Sequence, residues 1–305
     1  MSLTDIKNTI ARAVKKGDLF DKIICLAFIK LGYSNDKLQA LEIRNKKFCY
    51  IKEKYGYLIN KFVNLPISEK KKDKIIWILW FQGYDAAPDI VKKCIDSIYH
   101  YKGVYEVIFL TSNNIINYID IPEYILKKWK KGIISNTHFS DIVRTDILVR
   151  HGGIWLDATT YLTDFLPTYV TDTSFFVYKR GVERDKSIVA NNWLISANKN
   201  VRLLICVREM LFEYWKKENK IRDYFLWHLC FTIATHLYKE DWNEVCWITD
   251  TLGETLRWNL FKNKNKNTYD EITKLTGIHK LSYKIDVPDN IDGSIYEHII
   301  NNKGL

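Results

Sequence analysis

Residues 1–66 place apolar side chains at helical spacing. Ile6, Ile10 and Ala13-Val14 form one stripe, and Phe20, Ile23-Ile24, Ala27-Phe28 and Leu31 form a second. Gly32-Tyr33-Ser34-Asn35 interrupts them, and a third helix is expected over 36–54. Proline followed by a charge run at 66–74 (PISEKKKDK) reads as a linker. The boundaries expected are therefore a helical subdomain over 1–67, a main domain over 68–285 and a tail over 286–305.

Beyond the linker the period changes. Residues 75–80 are continuously apolar, 88–101 return to helical spacing, and 105–110 read as a second strand ending at Thr111-Ser112-Asn113-Asn114. A helix over 122–130 follows, then a further helix, a Gly152-Gly153 break and the short apolar strand Ile154-Trp155-Leu156. Strand, helix, strand, helix, strand predicts an α/β fold with a mainly parallel sheet flanked by helices. Further on, 175–178 reads as a strand and 192–197 as another short element, 201–215 and 224–237 as helices, and 261–268 (FKNKNKNT) as a polar loop.

Composition changes this picture little. The chain has 305 residues, 47% hydrophobic and 27% charged, a globular balance with room for a sizeable core. No apolar run is long enough to span a bilayer, and the first five residues do not resemble a signal peptide. Six cysteines (Cys25, Cys49, Cys94, Cys206, Cys230, Cys246) show neither CxxC pairing nor zinc spacing, which suits a reducing compartment, the cytosol. The net charge of +10 comes without any nucleic-acid-binding pattern, so a nucleic acid partner is not expected. Lys70-Lys71-Lys72 and Lys127, Lys128, Lys130 and Lys131 could dock on anionic lipid at the inner face of the plasma membrane, or simply be solvated faces.

The chemistry concentrates in 138–160, HFSDIVRTDILVRHGGIWLDATT. Ser140 is placed as a helix N-cap, with Asp141, Arg144 and Leu148 on one helical face. Asp157 is the first charge after the strand. Ligands of open α/β sheets collect at the carboxyl ends of strands, where a carboxylate can hold a metal ion on a phosphate.

This stretch resembles the capsular polysaccharide synthesis family of glycosyltransferases, related to the Och1-like mannosyltransferases and the sugar-transferring toxins. The shared pattern is SD..R…GG.(W/Y).D. Lys74-Ile75-Ile76-Trp77 with Trp80, Gln82 and Gly83 resembles the family's opening strand and W.QG loop. Ala87-Pro88, residues 94–97, Asn191-Asn192-Trp193 and Asp223-Tyr224-Phe225 resemble later blocks, so the likeness runs over about 74–284. It implies a GT-A fold, a nucleotide-sugar donor (UDP-linked being the first choice) and Mn²⁺ or Mg²⁺ on Asp157. Many relatives carry Asp-x-Asp here; this chain has Asp157-Ala158-Thr159, which removes one hard oxygen ligand and leaves the metal open.

On that resemblance Asp141, Asp157 and Asp223 are the catalytic candidates. Trp80, Gln82, Gly83, Thr111, Ser140, Arg144, Gly153, Asn192 and Lys284 are the donor-binding ones. His279 is the candidate second metal ligand, and Lys284 is preferred to Lys280 for the diphosphate. Asp223 could equally cap a helix. The activity expected is hexosyl transfer, with retention of configuration, to a growing cell-surface glycan that could be lipid-linked. The alternative is a catalytically degenerate nucleotide-sugar-binding subunit of a polysaccharide assembly complex.

Overall fold

A computed structural model describes residues 23, 36–62, 64–66, 72–181, 185–262 and 266–301. Apart from Ile23, the two stripes of residues 6–31 lie outside the described residues, as do Cys25, Lys70 and Lys71.

Five strands make the central sheet: β1 (Ile75–Leu79), β2 (Glu106–Leu110), β3 (Gly153–Leu156), β5 (Phe175–Lys179) and β6 (Ala190–Ala197). Their order is β2-β1-β3-β6-β5. β1 runs parallel to β2 and β3, while β6 is antiparallel to both β3 and β5. The sheet is thus mainly parallel, as the spacing of the apolar runs predicts, with β6 the reversed strand. A separate antiparallel ribbon joins β4 (Thr160–Leu162) to β7 (Ile278–Lys280).

Continuous apolar runs are required because both faces of the sheet are covered. Alternation along β1 sends Ile76 and Ile78 to one face and Trp77 and Leu79 to the other. Trp77 and Leu79 pack under α1 (Asp36–Tyr55), α3 (Glu123–Lys130), α4 (Asn136–His151), α6 (Arg202–Lys217), α7 (Leu226–Leu237) and α8 (Lys239–Glu244). Ile76 and Ile78 pack under α2 (Asp89–His100), α5 (Thr168–Thr171), α9 (Thr251–Asn259), α10 (Lys266–Leu275) and α11 (Ile295–Asn301). The result is a three-layer α/β/α arrangement.

The double glycine serves close packing. Gly152 ends α4 with φ +66°, and Gly153 opens β3 with φ +103°. A Cβ on Gly153 would lie 2.8 Å from the Ile75 carbonyl oxygen and 2.8 Å from Trp77 Nε1. Only glycine lets β3 approach β1 this closely.

Among the described residues, the first and last helices are tied into these layers. Glu218 accepts from Tyr50 (3.0 Å), Lys54 (2.6 Å) and Tyr55 (3.2 Å), fastening α1 to the end of α6. The segment expected as a tail contains α11, with Ile295 and Ile299 fully buried in the core beside α2. The loop expected over 261–268 ends early, because α10 starts at Lys266.

Candidate active site

Parallel strands end on one edge, and the reversed strand begins there. The carboxyl ends of β1 and β3 and the first residues of β6 therefore meet. The loops after β1 and β2 are stitched together: Trp80 N–H donates to the Leu110 carbonyl (3.0 Å), and Ser112 N–H and Oγ both donate to the Phe81 carbonyl (3.1 and 2.9 Å). A cleft of about 280 Å³ opens at this edge. Trp80, Phe81 and Gln82 form one wall; Asn136, Thr137, Ser140 and Arg144 from the first turns of α4 form another. Asp157, Ala158 and Thr159 close the base, and Tyr283 stands against Trp80, ring centroids 5.1 Å apart.

The helix that carries the motif starts earlier than its sequence suggests. Ser135 is the N-cap, its Oγ accepting from His138 N–H at 3.3 Å. Ser140 lies inside the helix, and its hydroxyl accepts from Arg144 Nη2 (3.1 Å). One more turn of α4 is thereby directed into the cleft.

Arg144 organises the site, with a side chain only 5% exposed. Its guanidinium donates to the Asn192 carbonyl, lies 3.0 Å from Asp157 Oδ1 and 3.4 Å from Asp141 Oδ1, and sits over the Trp155 ring. Asn192 Nδ2 in turn donates to Asp141 Oδ1 at 2.8 Å. A planar fork is the cation that can hold two carboxylates and a carbonyl at once. Asp141, Arg144, Asn192 and Asp157 are therefore one buried network spanning α4, β3 and β6.

Asp157 has a second cation. The β4–β7 ribbon pairs Lys280 with Thr160, and Lys280 Nζ donates to Asp157 Oδ2 (2.7 Å) and to Thr159 Oγ1 (2.6 Å). Trp155 Nε1 donates to Asp157 Oδ1 (3.0 Å). Burial alone would raise the Asp157 carboxyl, but Arg144 and Lys280 outweigh it and hold it below the ordinary 3.8.

Several expected site residues stand elsewhere. His279 is completely buried on the face of β7 opposite Lys280, its Nε2 3.0 Å from Thr163 Oγ1 and its ring near Tyr161. Burial lowers its pKa to about 4, so it is neutral, and its bonding is to the ribbon rather than to Asp157. Asp223 is a turn residue and tether: Oδ1 accepts from Phe225 N–H (2.8 Å) in the turn before α7, and Arg44 and Lys47 of α1 lie 4.0 and 3.5 Å away. Gly153 is at the far end of β3 from Asp157 and serves packing.

Thr111 is turned into its own loop, where its N–H donates to Asn114 Oδ1 (2.7 Å). Gly83, at φ +85°, makes the turn that positions Gln82. Lys284 is exposed and is not among the residues that line the cleft. The basic runs are also partly internal. Lys72 Nζ donates to Val170 O, Thr173 O and Ser196 Oγ, and burial lowers it to about 8. Lys128 caps the end of α6 by donating to the Trp215 and Glu218 carbonyls.

The donor set at Asp157 does not fit the expected Mn²⁺ or Mg²⁺. Among the described residues, no three His, Cys, Asp or Glu side chains gather as a metal site. Asp157 already carries two cations, and Thr159 Oγ1 is taken by Lys280. At about 4 Å and an effective dielectric of about 20, a divalent ion and a unit cation repel by roughly 8 kcal/mol. An ion at Asp157 would have to compete with Lys280 for the same carboxylate oxygen.

The residues that sequence reasoning missed are Phe81, Asn136, Thr137 and Tyr283, and it ranked Lys280 behind Lys284. Their signals were weak. Recognising 278–280 as a strand would have put His279 and Lys280 on opposite faces, so that choosing one for the site excluded the other.

No described helix is long and apolar enough to cross a membrane. The O-glycosyltransferase braB of Annulohypoxylon truncatum is 29% identical to this chain over 99 residues, 30% of this chain and 24% of that protein. The match thus spans about a quarter of that relative. Among solved structures, the PaToxG glycosyltransferase covers 63% of this chain and 78% of its own at 14% identity and a TM-score of 0.38. The apo glycosyltransferase GlyE of Streptococcus pneumoniae TIGR4 covers 75% and 60% at 12% identity and a TM-score of 0.40. Residues 30–299 match the model of the capsular polysaccharide synthesis protein family, and the chain belongs to that family.

Proposed function

We propose that this protein transfers a hexosyl group from a nucleoside diphosphate sugar, UDP-linked in the first instance, to a hydroxyl of a growing capsular or other cell-surface glycan. The observation that supports this reading is the cleft at the strand ends. It sets an aromatic wall (Trp80, Phe81, Tyr283) beside an arginine and a lysine held on one carboxylate. Flat aromatic side chains suit a base or sugar ring, and fixed cations suit a diphosphate.

In this reading the bond from the sugar C1 to the diphosphate oxygen breaks as charge accumulates on the leaving group. Arg144 and Lys280 stabilise that charge, while Asp141, Asn192 and Asp157 hold the two cations in place. Among the described residues lining the cleft, Asp157 is the single carboxylate, and its two ion pairs make it a poor base. We therefore favour retention, with the acceptor proton passing to the departing diphosphate as the new C1–oxygen bond forms. The buried thiols of Cys94, Cys206 and Cys230 suit work in the cytosol. A lipid-linked acceptor would bring the protein to a membrane surface, but Lys72 and Lys128 are committed internally.

The test is release of nucleoside diphosphate from a panel of UDP- and GDP-sugars by the wild type and by Asp157→Ala. Turnover of one donor that is lost in Asp157→Ala supports transfer. Binding of a donor without any turnover, with or without added glycan, supports the alternative of a donor-binding subunit.

A further inference from the structure

We propose that Lys280 and Arg144 together neutralise the donor diphosphate, and that nucleotide binding in this cleft needs no divalent cation. This rests on the donor-site reading above and adds to it which charges do the work. Both Asp157 oxygens are engaged, Oδ1 by Arg144 and Trp155 and Oδ2 by Lys280. The next position is Ala158, whose side chain has no ligand atom, and Thr159 Oγ1 accepts from Lys280. The second carboxylate of the network, Asp141, accepts from Asn192 Nδ2 and faces Arg144. A hard divalent cation at a phosphate site completes its oxygen shell with water and substrate but still draws on one or two free carboxylates, and the one at this position is already paired with two cations.

The same geometry suits an anion. An ammonium has three N–H groups; Asp157 and Thr159 take two of those on Lys280, and the third has no acceptor among the described residues. Lys280 does not itself line the cleft, but Asp157 and Thr159, which hold its ammonium, both do, so the charge lies directly behind the cleft base, with the Trp193 ring 5.9 Å away. Arg144 lines the cleft directly. Asp157 then acts as a positioning residue that keeps both cations aimed where the diphosphate would lie.

The measurement is calorimetric titration of UDP and GDP into the wild type, Lys280→Met and Lys280→Arg, each in EDTA and in Mn²⁺. The wild type is expected to bind one of the two nucleotides with a Kd that changes less than about twofold between buffers. Lys280→Met should bind roughly 10- to 100-fold more weakly in EDTA, the loss of one charge-assisted hydrogen bond, and Lys280→Arg should restore most of it. Wild-type binding that falls about tenfold or more on chelation overturns the inference and leaves the donor site standing, as does Lys280→Met binding like the wild type. Failure of either nucleotide to bind in both buffers overturns the donor reading and this inference with it. Circular dichroism and the urea midpoint check each variant's fold; if Lys280→Met does not fold, the EDTA comparison on the wild type decides.

Discussion

Replacing Arg144 by lysine keeps the charge and removes the fork, so it isolates what geometry contributes. The guanidinium reaches Asp157, Asp141, the Asn192 carbonyl and Ser140 from a side chain only 5% exposed. A single ammonium can hold one carboxylate, leaving a buried carbonyl and a second carboxylate short of a partner. An unsatisfied buried acceptor costs about 1–3 kcal/mol, and a lost bond to a charged group a similar amount. Because Lys280 still holds Asp157, the sum stays below the roughly 3–5 kcal/mol of a broken isolated buried pair, and about 3 kcal/mol is expected. Urea unfolding at pH 7 should show a lower midpoint at unchanged m-value. A second readout follows from Asp157, whose folded pKa lies below 3.8. Its ionised form stabilises the fold fully above that value, and the contribution is lost as pH falls through the lowered folded pKa. Arg144→Lys weakens one of the two attractions, so this acid-side contribution should shrink. A stability within about 0.5 kcal/mol of the wild type, the range of neutral surface changes, would refute the network as described.

Gly153→Ala combines a positive φ with a Cβ 2.8 Å from backbone, and should cost about 3 kcal/mol or prevent folding, read by the urea midpoint or soluble yield. His279 is held neutral with a pKa of about 4 against an ordinary 6.5. The unfolded chain takes up this proton first, so stability present above pH 6.5 is lost as pH falls toward 4, at up to about 1.4 kcal/mol per unit. His279→Gln should flatten that slope in urea melts between pH 7 and pH 4.5 and leave nucleotide affinity unchanged. Asp223→Ala removes a turn bond to Phe225 N–H and a tether of α1, costing about 1 kcal/mol, while the Kd for the donor nucleotide stays at the wild-type value by calorimetry.

The layers of the fold were legible because covering both faces of a sheet forces continuous apolar strands: 75–80 and 154–156 are such runs, and 107–110 is one in the edge strand. The direction of β6 was not legible, since a strand's polarity leaves no mark on its composition. Asp141, Arg144, Asn192 and Asp157 share a network, and sequence could flag each singly as a charged or amide residue beside a turn. Their mutual bonding depends on β6 overhanging the end of β3, where Asp157 N–H donates to the Trp193 carbonyl at 2.8 Å. Lys280 was obscured for a different reason: β7 is three residues long, and its partner strand lies about 120 positions away in sequence. Asp223 misled because an aspartate before an aromatic helix serves a cap or a catalytic role equally well, and only the positions of Arg44 and Lys47 decide between them.

The most direct test of the cleft as a donor site is a thermal-shift panel of nucleoside diphosphates and their sugars on the wild type and Thr137→Trp. Thr137 is exposed and lines the cleft, so tryptophan there fills the opening without touching the buried network. A ligand at 100 times its Kd adds about 2.7 kcal/mol of stability, a clear shift in melting temperature. The account predicts that one nucleotide or nucleotide sugar shifts the wild type, and that Thr137→Trp melts normally alone yet loses the ligand shift. An undiminished shift in Thr137→Trp, or a flat panel on folded wild type, would contradict it.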